Sequence, residues 1–247
     1  MTTTAATAMP MTAKVLLAGD DVYEDLFGAG VELQALLADE GLATRVRIGS
    51  GSLRGQGDDA VIALYRAAGE LGEAERRGLE EAVAGGAGLL AVHSTAYFDD
   101  DALADVIGAR YLDHGPTPHE STFTVQLAPH PVTDGVEPFA VAHEHYRLAV
   151  QPGVDVLAWR DTAYGREPLV TAHSYGKGRV CYLQFGHDLR AWASTGVRAL
   201  VANAARWLAE PARAAAGPPT AGSLGPDAPS PQASPARPAD TEDSIPL

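Results

Sequence analysis

Two histidines stand where apolar runs of the sequence end. His93 directly follows residues 88–92 (GLLAV), and His187 follows an apolar run that closes at residues 184–186 (QFG). A neutral imidazole nitrogen accepts a proton or ligates a metal, so each histidine is a candidate general base or metal ligand. Each could equally be a structural histidine that bonds the backbone at a turn or caps the next segment. Two histidines at the ends of two strands indicate a functional site more strongly than either histidine would alone.

The densest polar cluster of the chain is residues 143–146 (HEHY). Side chains alternate along a strand, so Glu144 and Tyr146 would share one face and His143 and His145 the other, with one pair pointing away from a site. A carboxylate beside imidazoles can have a shifted pKa and act as acid, base or metal ligand. Alternating histidines also suit a solvated edge strand, and we expect His145 to lie at the surface.

A proline-broken segment, residues 111–120, predicts a loop that contains His114 and His119. Loops often carry function, so we retain His114 as a candidate and expect His119 to be an ordinary solvated residue. His130 precedes a proline and is expected to set the chain direction at a turn. Cys181 lies in the middle of an apolar strand, which predicts an inert buried thiol.

Composition and missing motifs exclude several classes of function. The formal charge of −14, with scattered basic residues, argues against nucleic-acid and membrane partners. The chain has no phosphate-binding G-x-x-x-x-G-K-[ST], dinucleotide-binding G-x-G-x-x-G, G-x-S-x-G or H-E-x-x-H motif. A single cysteine excludes an internal disulfide and a multi-cysteine metal site, so any metal would need His and carboxylate ligands.

The opening residues lack the basic and apolar segments of a signal peptide, and no eighteen apolar residues follow one another. We therefore expect a cytoplasmic protein whose partner is a small molecule. The sequence is also compatible with assembly into a homo-oligomer.

Hydrophobic periodicity predicts the elements that must position these residues. Apolar runs alternate with helical patterns in the first half, and a period of two begins at Ser121. Aspartates at 99–101 predict a helix cap, Gly176 and Gly178 predict a hairpin, and the last helix begins at Ser194 or Thr195. The predicted strands are residues 14–18, 43–48, 59–65, 88–92, 121–127, 139–144, 146–150, 154–160, 168–174 and 179–185.

This order predicts an α/β fold: a mostly parallel sheet with helices on both faces and an antiparallel β excursion in the second half. Ligands bind such sheets at the carboxyl ends of the strands. Residues 14–209 would form the domain, preceded by a disordered N-terminus at residues 1–13. Residues 210–247, rich in Pro and Ala, are expected to be a disordered tail because they contain few large apolar side chains.

Five short segments together resemble the ThuA-like (trehalose utilisation) family over residues 14–209. They are GGAGLLAVHS at 85–94, IGARY at 107–111 with His114 close behind, HPVT at 130–133, EHY at 144–146, and GKGRV at 176–180 leading to Gly186-His187. The resemblance implies a flavodoxin-like sheet of the class I glutamine amidotransferase-like superfamily, with His93 where amidotransferases carry cysteine. It implies no amidotransferase activity and a role in using trehalose-related sugars, such as 3-keto disaccharides or glycosides.

Two positions depart from the pattern of that family. The family usually has aspartate before the glutamate of residue 144, where this chain has His143. The loop after the first strand reads GDDVY at 19–23 in place of a frequent His-Asp.

We therefore predict an enzyme, a hydrolase or isomerase, acting on a sugar derivative by acid–base or metal-assisted chemistry. The predicted catalytic residues are His93, Glu144 and His187. A divalent metal such as zinc, if bound, would take the same three side chains, with water as a fourth ligand. The residues predicted to contact the substrate are Ser94, His114, Tyr146 and Asp20.

Two other hypotheses stay open. The chain could be a catalytically silent sugar- or metabolite-binding regulator on the same fold. It could also be an interaction module whose acidic, proline-rich tail recruits a partner.

Overall fold

The computed structural model describes residues 10–55, 57–97 and 101–216. The strands in these residues are β1 Thr12–Ala18, β2 Ala43–Ile48, β3 Asp59–Arg66, β4 Gly88–Val92, β5 Ala109–Asp113, β6 Glu120–Leu127, β7 Phe139–Glu144, β8 Arg147–Val150, β9 Asp155–Thr162, β10 Gly165–Tyr175 and β11 Gly178–Leu183. The helices are α1 Leu26–Asp39, α2 Glu73–Gly85, α3 Asp101–Ile107, α4 Leu189–Trp192 and α5 Thr195–Ala216, with short 3-10 turns at Gly51–Arg54, His93–Ala96 and Pro131–Thr133.

The main sheet has a parallel half and an antiparallel half. Its nine strands run in the order β2-β1-β3-β4-β11-β10-β9-β6-β7. The first five strands are parallel to one another. From β11 onward, each of the strands β10, β9, β6 and β7 pairs antiparallel with the strand before it in this order. The prediction of an α/β fold with a parallel sheet core and an antiparallel part is confirmed.

Helices cover both faces of the parallel half, which is why its central strands are apolar between their ends. Val15 and Leu17 of β1 pack in one cluster with α1 and α5, whereas Leu16 packs in a second cluster with α2 and α3. Every residue of β3 and β4 is buried. A strand enclosed on both faces must be apolar at both odd and even positions.

Residues 109–113 form a strand that the sequence did not predict. They make β5, which pairs antiparallel with β8 in a separate two-stranded sheet, with Tyr111 opposite Leu148. Residues 111–113 were predicted to be loop because prolines follow at 116 and 118. The prolines begin only after the strand ends, so they do not prevent its pairing.

The last helix is longer than expected. α5 passes through Pro211 and ends at Ala216, so residues 210–216, which we placed in the tail, belong to the helix. The alanine-rich sequence around Pro211 favours helix. Residues 217–247, the first nine residues and the predicted caps Asp99 and Asp100 lie outside the described part of the chain. No helix within the described residues has the length and apolarity needed to span a bilayer.

Candidate active site

Four ionisable side chains meet at the carboxyl ends of the parallel strands. Glu24 comes from the loop after β1, His93 follows β4, His187 follows β11, and Glu144 ends β7. Glu24 Oε2 lies 3.1 Å from His93 Nε2 and 3.1 Å from His187 Nδ1. Glu144 Oε2 lies 3.3 Å from His93 Nε2 and 3.5 Å from His187 Nδ1. Two carboxylates and two imidazoles therefore face one point, which we call the His-Glu cluster.

His93 occupies a strained turn at the centre of this cluster. Its φ of 45° is the only positive value among the non-glycine residues that the structure describes. Such a conformation costs on the order of 1–3 kcal/mol and tends to occur at functional sites. His93 Nδ1 lies 2.6 Å from the backbone oxygen of Gln184, so this nitrogen donates its proton there. The opposite nitrogen, Nε2, is thereby aimed at the two carboxylates.

Glu24 is held in place by a buried phenol. The hydroxyl of Tyr65, next to the end of β3, lies 2.9 Å from Glu24 Oε2 and 3.1 Å from the backbone oxygen of Gly186. Glu24 is only 8% exposed. A carboxylate held by a hydroxyl and an imidazole has little freedom to move.

Glu144 faces a more open part of the site. Its second oxygen, Oε1, lies 3.1 Å from His114 Nε2. The other nitrogen of His114 is 2.5 Å from the hydroxyl of Tyr111, which sets the orientation of the imidazole. The ring of Tyr146 stacks on that of His93 with centroids 4.6 Å apart. Aromatic rings thus enclose the cluster on this side.

His143 lies behind the cluster and binds only backbone. Its Nδ1 donates to the backbone oxygen of Glu144 over 2.8 Å. Its Nε2 accepts the backbone N–H groups of Gly186 and His187, at 3.0 and 3.3 Å. Burial, reinforced by neighbouring His93, lowers the pKa of His143 to about 3, so the ring is neutral. This side chain ties β7 to the loop that carries His187.

The charges in the cluster are strongly coupled. Burial alone would raise the pKa of Glu24, but the nearby side chains of His187, His93 and Tyr65 hold it well below its usual value. Burial is likewise outweighed at Glu144, where His93, His187 and His114 lower the pKa. Against the effect of its own burial, Glu144 and Glu24 raise the pKa of His93 to about 9. A hydrogen bond with Glu24 raises the pKa of His187. Both carboxyls are therefore anionic at neutral pH.

The structure brings most of the predicted site residues together. Those at or beside the cluster are His93, Glu144, His187, His114 and Tyr146. Ser94 is buried next to His93, and its hydroxyl donates to the backbone oxygen of Arg66 over 3.0 Å. Asp20 is exposed and accepts the N–H of Val22 within its own loop. The roles assigned to all seven residues stay predictions.

The face assignment predicted for residues 143–146 is right for Glu144 and Tyr146, which both contact His93, and wrong for His143, whose ring also lies against His93. His143 and Glu144 both reach the cluster because β7 ends at Glu144 and strand alternation stops there. His145 points elsewhere, with Nε2 2.7 Å from the Ser121 hydroxyl. It is only 8% exposed, so the expected surface position is also wrong.

Three other residues singled out in the sequence lie as expected. Cys181 is buried within β11, and burial raises the pKa of its thiol to about 12. His130 caps the turn at Pro131–Thr133 by accepting the N–H of Val132 over 3.1 Å. His119 is exposed.

Sequence analysis missed Glu24 and Tyr65. Glu24 lies in a loop with three aspartates, at 20, 21 and 25, and nothing local distinguishes it from them. Tyr65 reads as one more apolar residue of a buried strand. Their positions in the chain could have identified them, because Glu24 follows a strand and Tyr65 lies near the end of one, and the carboxyl ends of these strands line the site.

Comparison with known proteins gives a family match and several similar folds. The family model for ThuA, described as trehalose utilisation, matches residues 49–208. A ThuA-like protein from Bacteroides uniformis ATCC 8492 has a TM-score of 0.68 at 19% identity, covering 84% of this chain and 95% of that one. A second, from Parabacteroides merdae ATCC 43184, has a TM-score of 0.69 at 18% identity, covering 81% of this chain and 90% of that one.

A β-galactosidase from Rahnella sp. R3 also resembles this chain, with a TM-score of 0.58 at 15% identity. The similarity covers 81% of this chain but only 31% of the β-galactosidase. At these identities the solved structures show a shared fold and nothing about shared chemistry. No curated protein matched the chain in sequence.

Proposed function

This chain belongs to the ThuA family, described as trehalose utilisation, and from that premise we propose that it is an enzyme acting on a small carbohydrate related to trehalose. The observation that carries the proposal is the convergence of Glu24, His93, Glu144 and His187 on one point. Burying several charged groups together costs free energy, and such clusters with shifted pKa values concentrate at active sites.

The state of the carboxyls favours proton abstraction over direct glycoside hydrolysis. Hydrolysis of a glycosidic bond needs one carboxyl to hold a proton as the general acid. The pKa values of Glu24 and Glu144 are both lowered, so each serves better as a base than as an acid. A base is what an oxidised sugar requires, because a keto group acidifies the C–H bonds beside it.

The proposed reaction is therefore proton transfer at a carbon next to the carbonyl of a 3-keto sugar. Glu144, the more open of the two carboxylates, takes the proton. His187, whose pKa its hydrogen bond with Glu24 raises, donates a hydrogen bond to the substrate oxygen that gains negative charge. His114 orients Glu144 from the other side. Return of this proton to the former carbonyl carbon, with transfer of the neighbouring hydroxyl proton to the former carbonyl oxygen, completes an isomerisation.

We also infer that the chain has no glutamine amidotransferase activity. The sharp turn after β4 carries His93 in a strained conformation, which is where a nucleophile would stand. Cys181 is buried inside a strand with a raised pKa and is unsuited to attack a substrate. The parallel order β2-β1-β3-β4-β11 supports the flavodoxin-like type expected for that superfamily.

The test is hydrogen exchange and turnover on trehalose, 3-keto-trehalose and simple 3-keto-glucosides, followed by NMR in D₂O. We expect exchange of the hydrogen beside the keto group and a new product, on the keto sugars only. Glu144→Gln should lower the rate by about 100- to 10,000-fold, the range that general acid–base catalysis contributes. Glu137→Gln, an exposed surface change, is the matched control and should leave the rate intact.

Two results would count against the proposal. A wild-type protein that binds a keto sugar without exchange or turnover would favour the silent binding protein. A Glu144→Gln variant as active as the control would remove Glu144 from the proton transfer.

A further inference from the structure

Three donor atoms of the His-Glu cluster have the spacing of a metal site. We infer that this chain binds a divalent transition metal, zinc being the best fit, through Glu24 Oε2, His93 Nε2 and His187 Nδ1. These residues each offer one donor atom, all within 4.8 Å of one another. The inference goes beyond the proposed function and rests on it only for the role of the metal in turnover.

The distances match those between the ligands of a tetrahedral ion. Zinc bonds of 2.0–2.2 Å place neighbouring ligand atoms about 3.3 Å apart. Glu24 Oε2 is 3.1 Å from each of the two imidazole nitrogens. Two of the three distances between the donor atoms therefore already suit an ion, and the third, between the two imidazole nitrogens, is no more than 4.8 Å.

Hydrogen bonding accounts for the contact of His187 with Glu24 but not for the contacts of His93 Nε2. Within the described residues, neither His93 Nε2 nor Glu144 Oε2 has a hydrogen bond of acceptable geometry, although both atoms are buried. Leaving a buried polar atom in that state costs free energy. A cation beside His93 Nε2 would satisfy the nitrogen lone pair and attract the carboxylate oxygen.

The charge of the cluster suits a divalent ion. Glu24 and Glu144 bring two negative charges into a site where Glu24 is 8% exposed and His93 is fully buried. Buried charges require compensation by an opposite charge or by a metal. Metal ligation requires neutral imidazoles and displaces any proton that they hold, and the doubly charged cation then balances the two carboxylates.

The surroundings of two of the ligands follow the pattern seen around protein-bound metals. His93 donates its other ring N–H to the backbone oxygen of Gln184, which aims Nε2 inward. Tyr65 donates to Glu24 Oε2 and holds that carboxylate in place. Metal-ligating histidines and carboxylates are usually oriented by such outer partners.

The two glutamates differ in a way that assigns their roles. Glu24 is the more buried and is fixed by Tyr65, as suits a ligand, whereas the Glu144 side chain is 18% exposed and bonded to His114 through its other oxygen. Glu24 therefore replaces Glu144 in the ligand set predicted from sequence. A divalent ion held beside Glu144 would polarise a sugar carbonyl or hydroxyl.

The test uses the full chain after treatment with a chelator, titrated with Zn²⁺ by calorimetry and with Co²⁺ by visible absorption. Wild type should bind one equivalent of each, and Co²⁺ should give the intense spectrum of a four-coordinate site. Glu24→Gln and His187→Ala should weaken binding by about 100-fold or more, since even outer partners contribute 10- to 100-fold. His119→Ala, which leaves Glu144 and all three ligands in place, should stay within a few-fold of wild type.

Thermal melting of each variant checks that a lost site is not a lost fold. Failure of the folded wild type to bind Zn²⁺, or equal binding by folded Glu24→Gln, would overturn the inference. Keto-sugar turnover by a protein that binds no metal would overturn the metal site and leave the proposed function standing. Metal binding with the expected pattern but without keto-sugar turnover would support the metal site and overturn the proposed function.

Discussion

At the residue scale, His143 supports the site without facing the substrate. Both of its ring nitrogens bind backbone groups, and those groups belong to the two segments that present Glu144 and His187. The same ring lies edge-on to His93, with centroids 5.2 Å apart. A neutral histidine in this place orients the cluster without adding a charge to it.

His143→Leu should therefore lower the free energy of unfolding by about 2–4 kcal/mol, because it leaves the buried backbone N–H groups of Gly186 and His187 without their acceptor at about 1–3 kcal/mol each. His143→Gln, which keeps a donor and an acceptor, should recover part of the loss. Urea denaturation followed by circular dichroism measures both. His119→Leu, on the exposed loop, is the control, and an equal effect in the two leucine variants would contradict the structural role.

At the element scale, β11 leads directly to His187, so its packing against α2 positions the site. Gly178 opens this strand where the backbone of α2 comes closest. A Cβ added there would lie 2.2 Å from the backbone oxygens of Val83 and Ala87, neither of which can move aside alone. Glycine is required at this position for close approach and not for an unusual φ.

Gly178→Ala should cost about 1–3 kcal/mol of unfolding free energy or more, as overpacking does in other cores. Gly51→Ala is the matched control, since nothing lies within 4 Å of an added Cβ there. The measurement is the midpoint of thermal unfolding for both variants. If the two midpoints were the same, close backbone packing at Gly178 would not be the reason for its glycine.

At the scale of the whole molecule, buried histidines couple stability to pH. His173 lies partly buried on β10, and burial lowers its pKa. The unfolded chain, in which a histidine titrates near 6.5, binds the proton more readily than the folded chain. The stabilising contribution of neutral His173 is therefore complete above that pH and is lost as the pH falls through it.

We expect the free energy of unfolding to decrease between pH 7 and pH 5, and His173→Gln to reduce that decrease by at most the binding of one proton. Urea denaturation at pH 7, 6 and 5 measures the slope. Val31→Ala, an exposed change that involves no titratable group, should keep the wild-type slope. An unchanged slope in His173→Gln would assign the pH dependence to other groups.

Local pattern was enough to predict most elements of this fold. Burial on both faces makes residues 60–65 of β3 and all of β4 a continuous run of largely apolar residues, whereas β6 alternates, so periodicity separates the parallel half of the sheet from the antiparallel half. The β10–β11 hairpin was predicted for a related reason, since Gly176 has the positive φ that such a turn needs. β5 was missed because its pairing with β8 depends on residues far along the chain.

For the site, the sequence by itself determined that His93 and His187 follow strands and therefore lie at the carboxyl edge of the sheet. Strand position is a local property, and it is visible in an apolar run. Only the tertiary structure decided that Glu24 is the buried carboxylate of the cluster and that Asp20 is an exposed loop residue. Loop side chains follow no period, and the contact of Glu24 with His93 and His187 joins segments far apart in the chain. Their convergence depends on how the strands pack together, which no single segment specifies.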